Sequence, residues 1–262
     1  MMLDNQVAIV TGGSQGLGKE ISFQFAEEGA DVVLAARSED KIQENADEIN
    51  ESDEYPGSAM AVATDVSDED AVENLVDETL DEYGTVDILV NNAAIGGPSK
   101  YIENLASEKW RQILDINLTG AYYCTKKVVP ILKEKEDGRI INISSTGGKK
   151  PYPLRCAYAT TKTGIIGFGR SIADELGQWN INVNTVCPGP IKSPRIDRMI
   201  ENRAEERDIS FEKAKKAYTK GSMFRRFVTN EEVANMVVFL ASEKGKGVTG
   251  QDINVSVGMY SD

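Results

Sequence analysis

The chain contains no histidine, and of cysteine it has only Cys124, Cys156 and Cys187. The first absence removes the commonest general base and the commonest zinc ligand together. Three scattered cysteines make no disulfide framework and no metal cluster, so no metal site is expected. Cys156 and Cys187 read best as small buried hydrophobes. Basic residues are also in deficit: 29 lysines and arginines face 42 acids, a net charge of −13. That balance argues against nucleic acid or an anionic membrane surface as the partner, because phosphate binding needs clustered cations. No apolar run approaches the roughly 20 residues of a spanning helix. The start, Met1 to Gln6, carries neither a basic nor an apolar signal region, so a cytoplasmic protein is expected. Repeats, low-complexity tracts and linkers are absent as well.

What is present reads as one folded unit. A chain of 262 residues, 40% hydrophobic and 27% charged, has the composition of a soluble globular protein. Near its start, Val7 to Val10 is a run of apolar residues, followed by Thr11-Gly12-Gly13-Ser14-Gln15-Gly16-Leu17-Gly18. The pattern predicts a buried strand, a glycine turn and a helix beginning near Gly16. Free backbone N–H groups and the positive end of the helix dipole would make that turn an anion site. Further strands are predicted at 30–36, 59–64, 87–91, 139–144, 181–187 and 252–257. Between them lie helical stretches at 38–49, 68–83, 107–135 (interrupted near Pro130), 157–177 and 230–241. Strands apolar on both faces, alternating with helices, predict an α/β fold: a Rossmann-type doubly wound parallel sheet in a single domain. The polar stretch 194–229, with two short helices, is expected to be a substrate lid or a solvated surface pair.

In such a sheet, ligands bind beyond the carboxyl ends of the strands. The unusual residues fall there repeatedly: the glycine turn, Arg37, Asp65, Asn91-Asn92-Ala93, Ser144-Ser145 and Pro188-Gly189-Pro190. The helix after the fifth strand carries Tyr158 and Lys162, four residues apart and so on one face. An ammonium beside a phenol favours the phenolate, and a phenol tuned toward neutrality can exchange a proton with an alcohol or carbonyl. In a chain without histidine, this pair is the best acid–base candidate.

Together Thr11-Gly12-x-x-x-Gly16-x-Gly18, Asn91-Asn92-Ala93, Ser145, Tyr158-x-x-x-Lys162 and Pro188-Gly189 resemble, in order and spacing, the short-chain dehydrogenase/reductases. The resemblance covers essentially the whole chain and implies about seven parallel strands. It implies Tyr158 as general acid/base, Lys162 as the residue that tunes it and holds the nicotinamide ribose, and Ser145 as the substrate-orienting serine. Asn117 is implied as the anchor of a proton-relay water. Gly12, Ser14, Gln15, Gly16, Leu17, Gly18, Asn92, Ala93, Pro188, Gly189, Ile191 and Ser193 are implied to hold the cofactor, with Asp65 and Val66 at the adenine edge. Three departures stand out: Ala94 where glycine is usual, Ser193 where threonine is usual, and Val255-Ser256-Val257-Gly258 for the common Val-Asp-Gly-Gly.

An NAD-dependent relative places an acid after the second strand to bind the ribose hydroxyls, whereas this chain reads Ala36-Arg37-Ser38. Arginine pairs with a 2′-phosphate, so NADP(H) is expected over NAD(H). The expected function is an oxidoreductase interconverting a carbonyl and a secondary alcohol of a small molecule: 3-oxoacyl, sugar, polyol or hydroxy acid. The competing reading is a dinucleotide-binding sensor or scaffold without chemistry. Lys149, Lys150, Arg155 and Arg195 put cations into the substrate loops, either to bind an anionic substrate group or as surface charge. Tyr152 is a further pocket candidate. The resemblance also suggests a homotetramer (or dimer) packed through 107–135 and 157–177, with Tyr122, Tyr123, Val128 and Phe168 as contact or core residues.

Overall fold

The computed structural model describes residues 1–259, with Arg195 described by its backbone alone. Seven strands form one parallel sheet: β1 (Val7–Thr11), β2 (Asp31–Ala36), β3 (Ala59–Ala63), β4 (Ile88–Asn91), β5 (Gly138–Ile143), β6 (Ile181–Pro188) and β7 (Asp252–Val255). Their spatial order is β3-β2-β1-β4-β5-β6-β7, so the winding reverses between β1 and β4. The helices are α1 (Gly16–Glu27), α2 (Glu39–Asn50), α3 (Glu69–Tyr83), α4 (Ser107–Leu114), α5 (Gly120–Lys135), α6 (Cys156–Leu176), α7 (Pro194–Glu206), α8 (Phe211–Thr219) and α9 (Asn230–Ala241).

The all-apolar strands follow from burial on both faces. Alternate side chains of a strand point to opposite sides. Ala8, Val10, Val32 and Leu34 enter one layer with Phe25 of α1 and Val237 of α9. Ile9, Val33 and Ala35 enter the other with Val128 and Leu132 of α5 and Leu176 of α6. Val128 is thus a core residue, while Tyr122 on the same helix is exposed and Tyr123 and Phe168 are half-buried. Among the described residues, no helix is long and apolar enough to cross a membrane.

Two expectations are corrected. The long helical stretch does run from Ser107 to Lys135, but Pro130 lies inside α5, and the interruption is a π-helical turn at Asp115–Thr119. One extra residue in that turn re-aims the side chains that follow it. The last strand stops at Val255, because Val257 (φ 49°) and Gly258 (φ 71°) turn the chain back and Met259 N–H bonds to Ser256 C=O at 2.9 Å. Ala94 sits outside the left-handed region, so the glycine usual there is not needed. The stretch 194–229 does fold as two helices, α7 and α8, around a small core of Ile200, Ala204, Ala214 and Phe227. It is tied to the sheet end by a bridge between Ile191 and Val228.

Candidate active site

The reversal between β1 and β4 opens a crevice at the strand ends, and the glycine turn fills one side of it. Gly12 adopts φ +73°, and its N–H bonds to Ala35 C=O at 2.7 Å. A Cβ on Gly18 would stand 2.1 Å from Gly12 C=O, so only glycine lets the turn close. The end of β4 is stitched to the turn by Thr11: its hydroxyl donates to Val90 C=O and accepts from the N–H groups of Asn92 (3.0 Å) and Ala93 (3.1 Å). The Asn92 amide donates to Thr11 C=O at 2.8 Å.

The helix that starts at this turn is left uncapped. No side chain caps α1 at Gln15, and no acid lies in its first turn. By contrast, Asp68 caps α3 and a full capping box of Thr229 and Glu232 closes α9. The orphan N–H groups of α1 therefore keep their capacity for an anion.

A cavity of about 360 Å³ opens onto the turn. Gly12, Ser14, Gln15, Leu17, Gly18, Arg37, Ser38, Asp65, Val66, Asn92 and Ala93 all line it, as the sequence reading expected. Gly16 does not: it faces a second hollow on the outer side of α1. Arg37 is exposed at the far end, 3.9 Å from Asp65. Burial works to raise the Asp65 pKa, but hydrogen bonds from the Ser67 hydroxyl and N–H, with Arg37 nearby, hold it below the usual carboxylate range. The turn, the uncapped helix end and the cavity fit the pyrophosphate and adenosine of a dinucleotide.

The proton-transfer candidates sit beyond the ends of β4 and β5. Lys162 is buried and donates to Ile143 C=O at 2.8 Å. Burial pushes its ammonium down to about 8. Its Nζ lies 5.8 Å from the centre of the half-buried Tyr158 ring, and Tyr152 packs edge-on against that ring at 6.1 Å. Ser144 turns away and donates to Lys162 C=O at 2.7 Å. Ser145 remains half-buried, its oxygen accepting from Gly147 N–H at 3.0 Å. Asn117 comes from the π-helical turn; its amide accepts from Ile95 N–H (2.8 Å) and donates to Ile95 C=O (2.9 Å) and to Thr161 Oγ1 (3.2 Å). A void of about 10 Å³, the size of one water, is lined by Thr11, Asn91, Asn117 and Lys162.

Past β6, Gly189 N–H bonds to Val255 C=O at 2.9 Å, and the Ser193 hydroxyl caps α7 by accepting from Ile196 N–H at 3.4 Å. Pro188, Gly189, Ile191 and Ser193 line no part of the 360 Å³ cavity. Of the substrate-loop cations, Lys149 is buried in an ion pair with Asp252 at 2.6 Å, so it is neither surface charge nor open to a substrate. Arg155 lies over Tyr158, whereas the Arg195 side chain falls outside the described residues. Burial pushes the Cys187 thiol up to about 11 and the Cys124 thiol up to about 12, as suits core residues. Two residues escaped the sequence reading. Asn45 of α2 braces the glycine turn through Gly13 C=O (3.1 Å), and Thr161 links Asn117 to Tyr158 C=O. Both are single polar residues within helices, and only their distant partners reveal them.

A family model described as short chain dehydrogenase matches residues 6–204. The chain is 34% identical over 260 residues to a 3-oxoacyl-(acyl-carrier-protein) reductase of Thermotoga maritima, covering 99% of each chain. Among solved structures, it is similar to an actinorhodin polyketide ketoreductase with NADPH (34% identity, TM-score 0.87, 97% and 98% covered). It is also similar to an NAD+-bound xylitol dehydrogenase (26% identity, TM-score 0.90, 98% and 100% covered).

Proposed function

The chain belongs to the short-chain dehydrogenase family, an oxidoreductase that uses a nicotinamide dinucleotide, and from that premise we propose NADPH-dependent reduction of a 3-oxoacyl compound with Tyr158 as the acid. One arrangement carries the reading: Lys162 and Tyr158 lie on one face of α6, and Lys162 is bonded to the end of β5, two residues before Ser145, at the same sheet end as the glycine-turn cavity. The 3-oxoacyl class is supported by the names of the Thermotoga reductase and of the actinorhodin ketoreductase. NADPH is supported by the exposed Arg37 guanidinium at the cavity's end, where a carboxylate would repel a 2′-phosphate. The xylitol dehydrogenase shows that the same fold also serves NAD+.

When bound, the nicotinamide supplies the hydride. The glycine turn and the α1 amino terminus would hold the pyrophosphate, Asp65 and Val66 the adenine, and Asn92 and Ala93 would form the neighbouring wall. Beyond β6, Pro188, Gly189 and Ile191 would help to hold the nicotinamide, and Ser193, whose oxygen caps α7, keeps a hydroxyl hydrogen that would serve its carboxamide. Tyr158 gives its proton to the carbonyl oxygen, which Ser145 orients by donating its own hydroxyl hydrogen. Lys162 stays cationic below about pH 8 and favours the phenolate left behind. Asn117 and the water-sized void beside Lys162 form the route by which the proton is replaced. Helices α7 and α8 and the turn that follows them act as the substrate lid, with Met199 of α7 and Met223 and Phe224 of the turn exposed to meet an apolar chain.

Tyr158→Phe tests the chemistry. It should lower kcat about 10²–10⁴-fold, the usual worth of a general acid, and leave the Kd for NADPH within about threefold. Full residual activity would refute the assignment; a wild type that binds NADPH and reduces no carbonyl would be a sensor. Arg37→Ala tests the cofactor. Losing a charged hydrogen bond of about 1.5–3 kcal/mol should cut kcat/KM for NADPH about 10–100-fold and barely change that for NADH. Equal losses for both would remove the argument for NADPH.

A further inference from the structure

Arg155 is a charged feature of the site that this chemistry leaves without a task. It stands at the amino-terminal boundary of α6, and its guanidinium carbon lies 5.8 Å from the centre of the Tyr158 ring, the same separation as Lys162 Nζ. The two cations are spent differently. Lys162 is buried and donates to a backbone carbonyl, whereas Arg155 is half-buried and, among the described residues, its side chain makes a single hydrogen bond, from Nη1 to Ser99 Oγ at 3.2 Å. Its Nε is buried and has no partner. Among the described residues no carboxylate pairs with it, although the chain carries 42 acids and Lys149, Arg139, Arg170 and Arg226 all have such partners. A half-buried guanidinium without a counter-charge is costly, and a ligand oxygen relieves that cost.

The backbone holds this side chain between the two loops that border the proposed substrate. Leu154 adopts φ +64°, a left-handed conformation that a branched side chain rarely takes, and its C=O accepts from Lys100 N–H at 2.9 Å. Arg155 N–H bonds to Tyr152 C=O at 3.2 Å. The two loops that meet at the cation also expose apolar side chains, Tyr101 and Ile102 on one and Tyr152 and Leu154 on the other, beside the polar Ser99 and Lys100. A polar anchor beside apolar side chains suits an acyl chain with an oxygenated end.

We infer that Arg155 binds the carboxyl-end oxygen of the substrate, so that the enzyme selects carbonyls with a second oxygen group two carbons away. The inference rests on the 3-oxoacyl reading above. In a 3-oxoacyl fragment the two oxygens stand about 3–5 Å apart by ordinary bond lengths, a span comparable to the 5.8 Å between the guanidinium at the N-cap of α6 and the phenol ring in its first turn. An isolated ketone would use Tyr158 and leave Arg155 idle. The anchored group is a carboxylate or a thioester carbonyl; the guanidinium serves both, and the anion more strongly.

The test compares wild type, Arg155→Met and Arg155→Lys, saturated with NADPH, on acetoacetate, on the acetoacetyl thioester of N-acetylcysteamine and on butan-2-one. In Arg155→Met the ratio of kcat/KM for a 3-oxoacyl probe to that for butan-2-one should fall at least tenfold, with Arg155→Lys in between. Effects on folding or on Tyr158 are common to all probes and cancel in the ratio. A larger fall for acetoacetate identifies a free acid as the preferred substrate, and a larger fall for the thioester identifies the thioester. A ratio that is high in wild type and kept in Arg155→Met overturns the role of Arg155 alone. No preference for 3-oxoacyl probes in wild type overturns the 3-oxoacyl reading itself, and the inference with it. Calorimetry of acetoacetate binding to the complex with NADP+ needs no turnover: Kd should rise at least tenfold in Arg155→Met, and an unchanged Kd rejects the contact.

Discussion

Lys162 bears the largest electrostatic cost in the site, since a fully buried ammonium is held where solvent cannot reach it. Burial lowers it from an ordinary 10.5 to about 8. The folded state therefore binds that proton less tightly than the unfolded chain does. Below pH 8 both states are protonated and the whole penalty stands; above 10.5 both are neutral and it vanishes. Between those values, rising pH stabilises the wild type through this group. A Lys162→Met variant lacks the penalty throughout, so its stability relative to wild type should fall by about 3 kcal/mol from pH 7 to pH 10.5, since each pKa unit is worth about 1.4 kcal/mol. Urea unfolding of both proteins at the two pH values measures the difference directly. A gap that stays constant with pH would mean that the buried ammonium keeps its ordinary pKa where it lies. The same variant should also lose activity, and a loss would identify the penalty as a cost of function rather than a flaw of the core.

The element with most influence on the site is the π-helical turn at Asp115–Thr119, which carries Asn117. With its amide bonded to both backbone groups of Ile95, Asn117 treats the loop after β4 as a strand treats its neighbour. Asn117→Ala should cost about 1–3 kcal/mol, the penalty for stranding buried polar groups. Amide exchange should show the loss at Ile95, with the middle of α5 protected as before. Unchanged protection at Ile95 would deny the loop its anchor there. This turn also marks where the sequence stops being informative. Apolar strands alternating with helices reveal the sheet because both faces of each strand are buried, so Ile9 and Val10 are needed equally. The cavity wall is legible for a similar reason: Gly12, Gly18, Thr11 and Asn92 act through contacts that demand those residue types. By contrast, Asp115-Ile116-Asn117-Leu118-Thr119 has an ordinary helical composition, and its extra residue is held by contacts with Ile95 and Thr161, remote in the chain. Pro130 draws attention as a breaker of helices in general, yet α5 contains it. Likewise, nothing local to α2 shows that Asn45 reaches Gly13.

At the scale of the molecule, a net charge of −13 surrounds a site mouth that carries Arg37 and Arg155. Charges at the mouth act within a few ångströms on a small substrate, whereas the overall field acts on a large partner at a distance comparable to the screening length, about 10 Å at 0.1 M salt. The two regimes separate two ways of delivering the same 3-oxoacyl group. Carried on N-acetylcysteamine, it feels little of the long-range field, and kcat/KM should vary less than about twofold between about 20 mM and about 200 mM salt. Carried on an acidic protein, it must approach against like charge, so kcat/KM should rise across that range as the repulsion is screened. A fall with salt would instead reveal a docking patch of clustered cations that the net charge conceals. A flat response in both cases would show that the acids lie too far from the mouth to steer anything. In the expected case, the molecule's own field favours small free substrates over protein-borne ones at low salt, and Arg155 supplies at the mouth a short-range attraction that this field does not cancel.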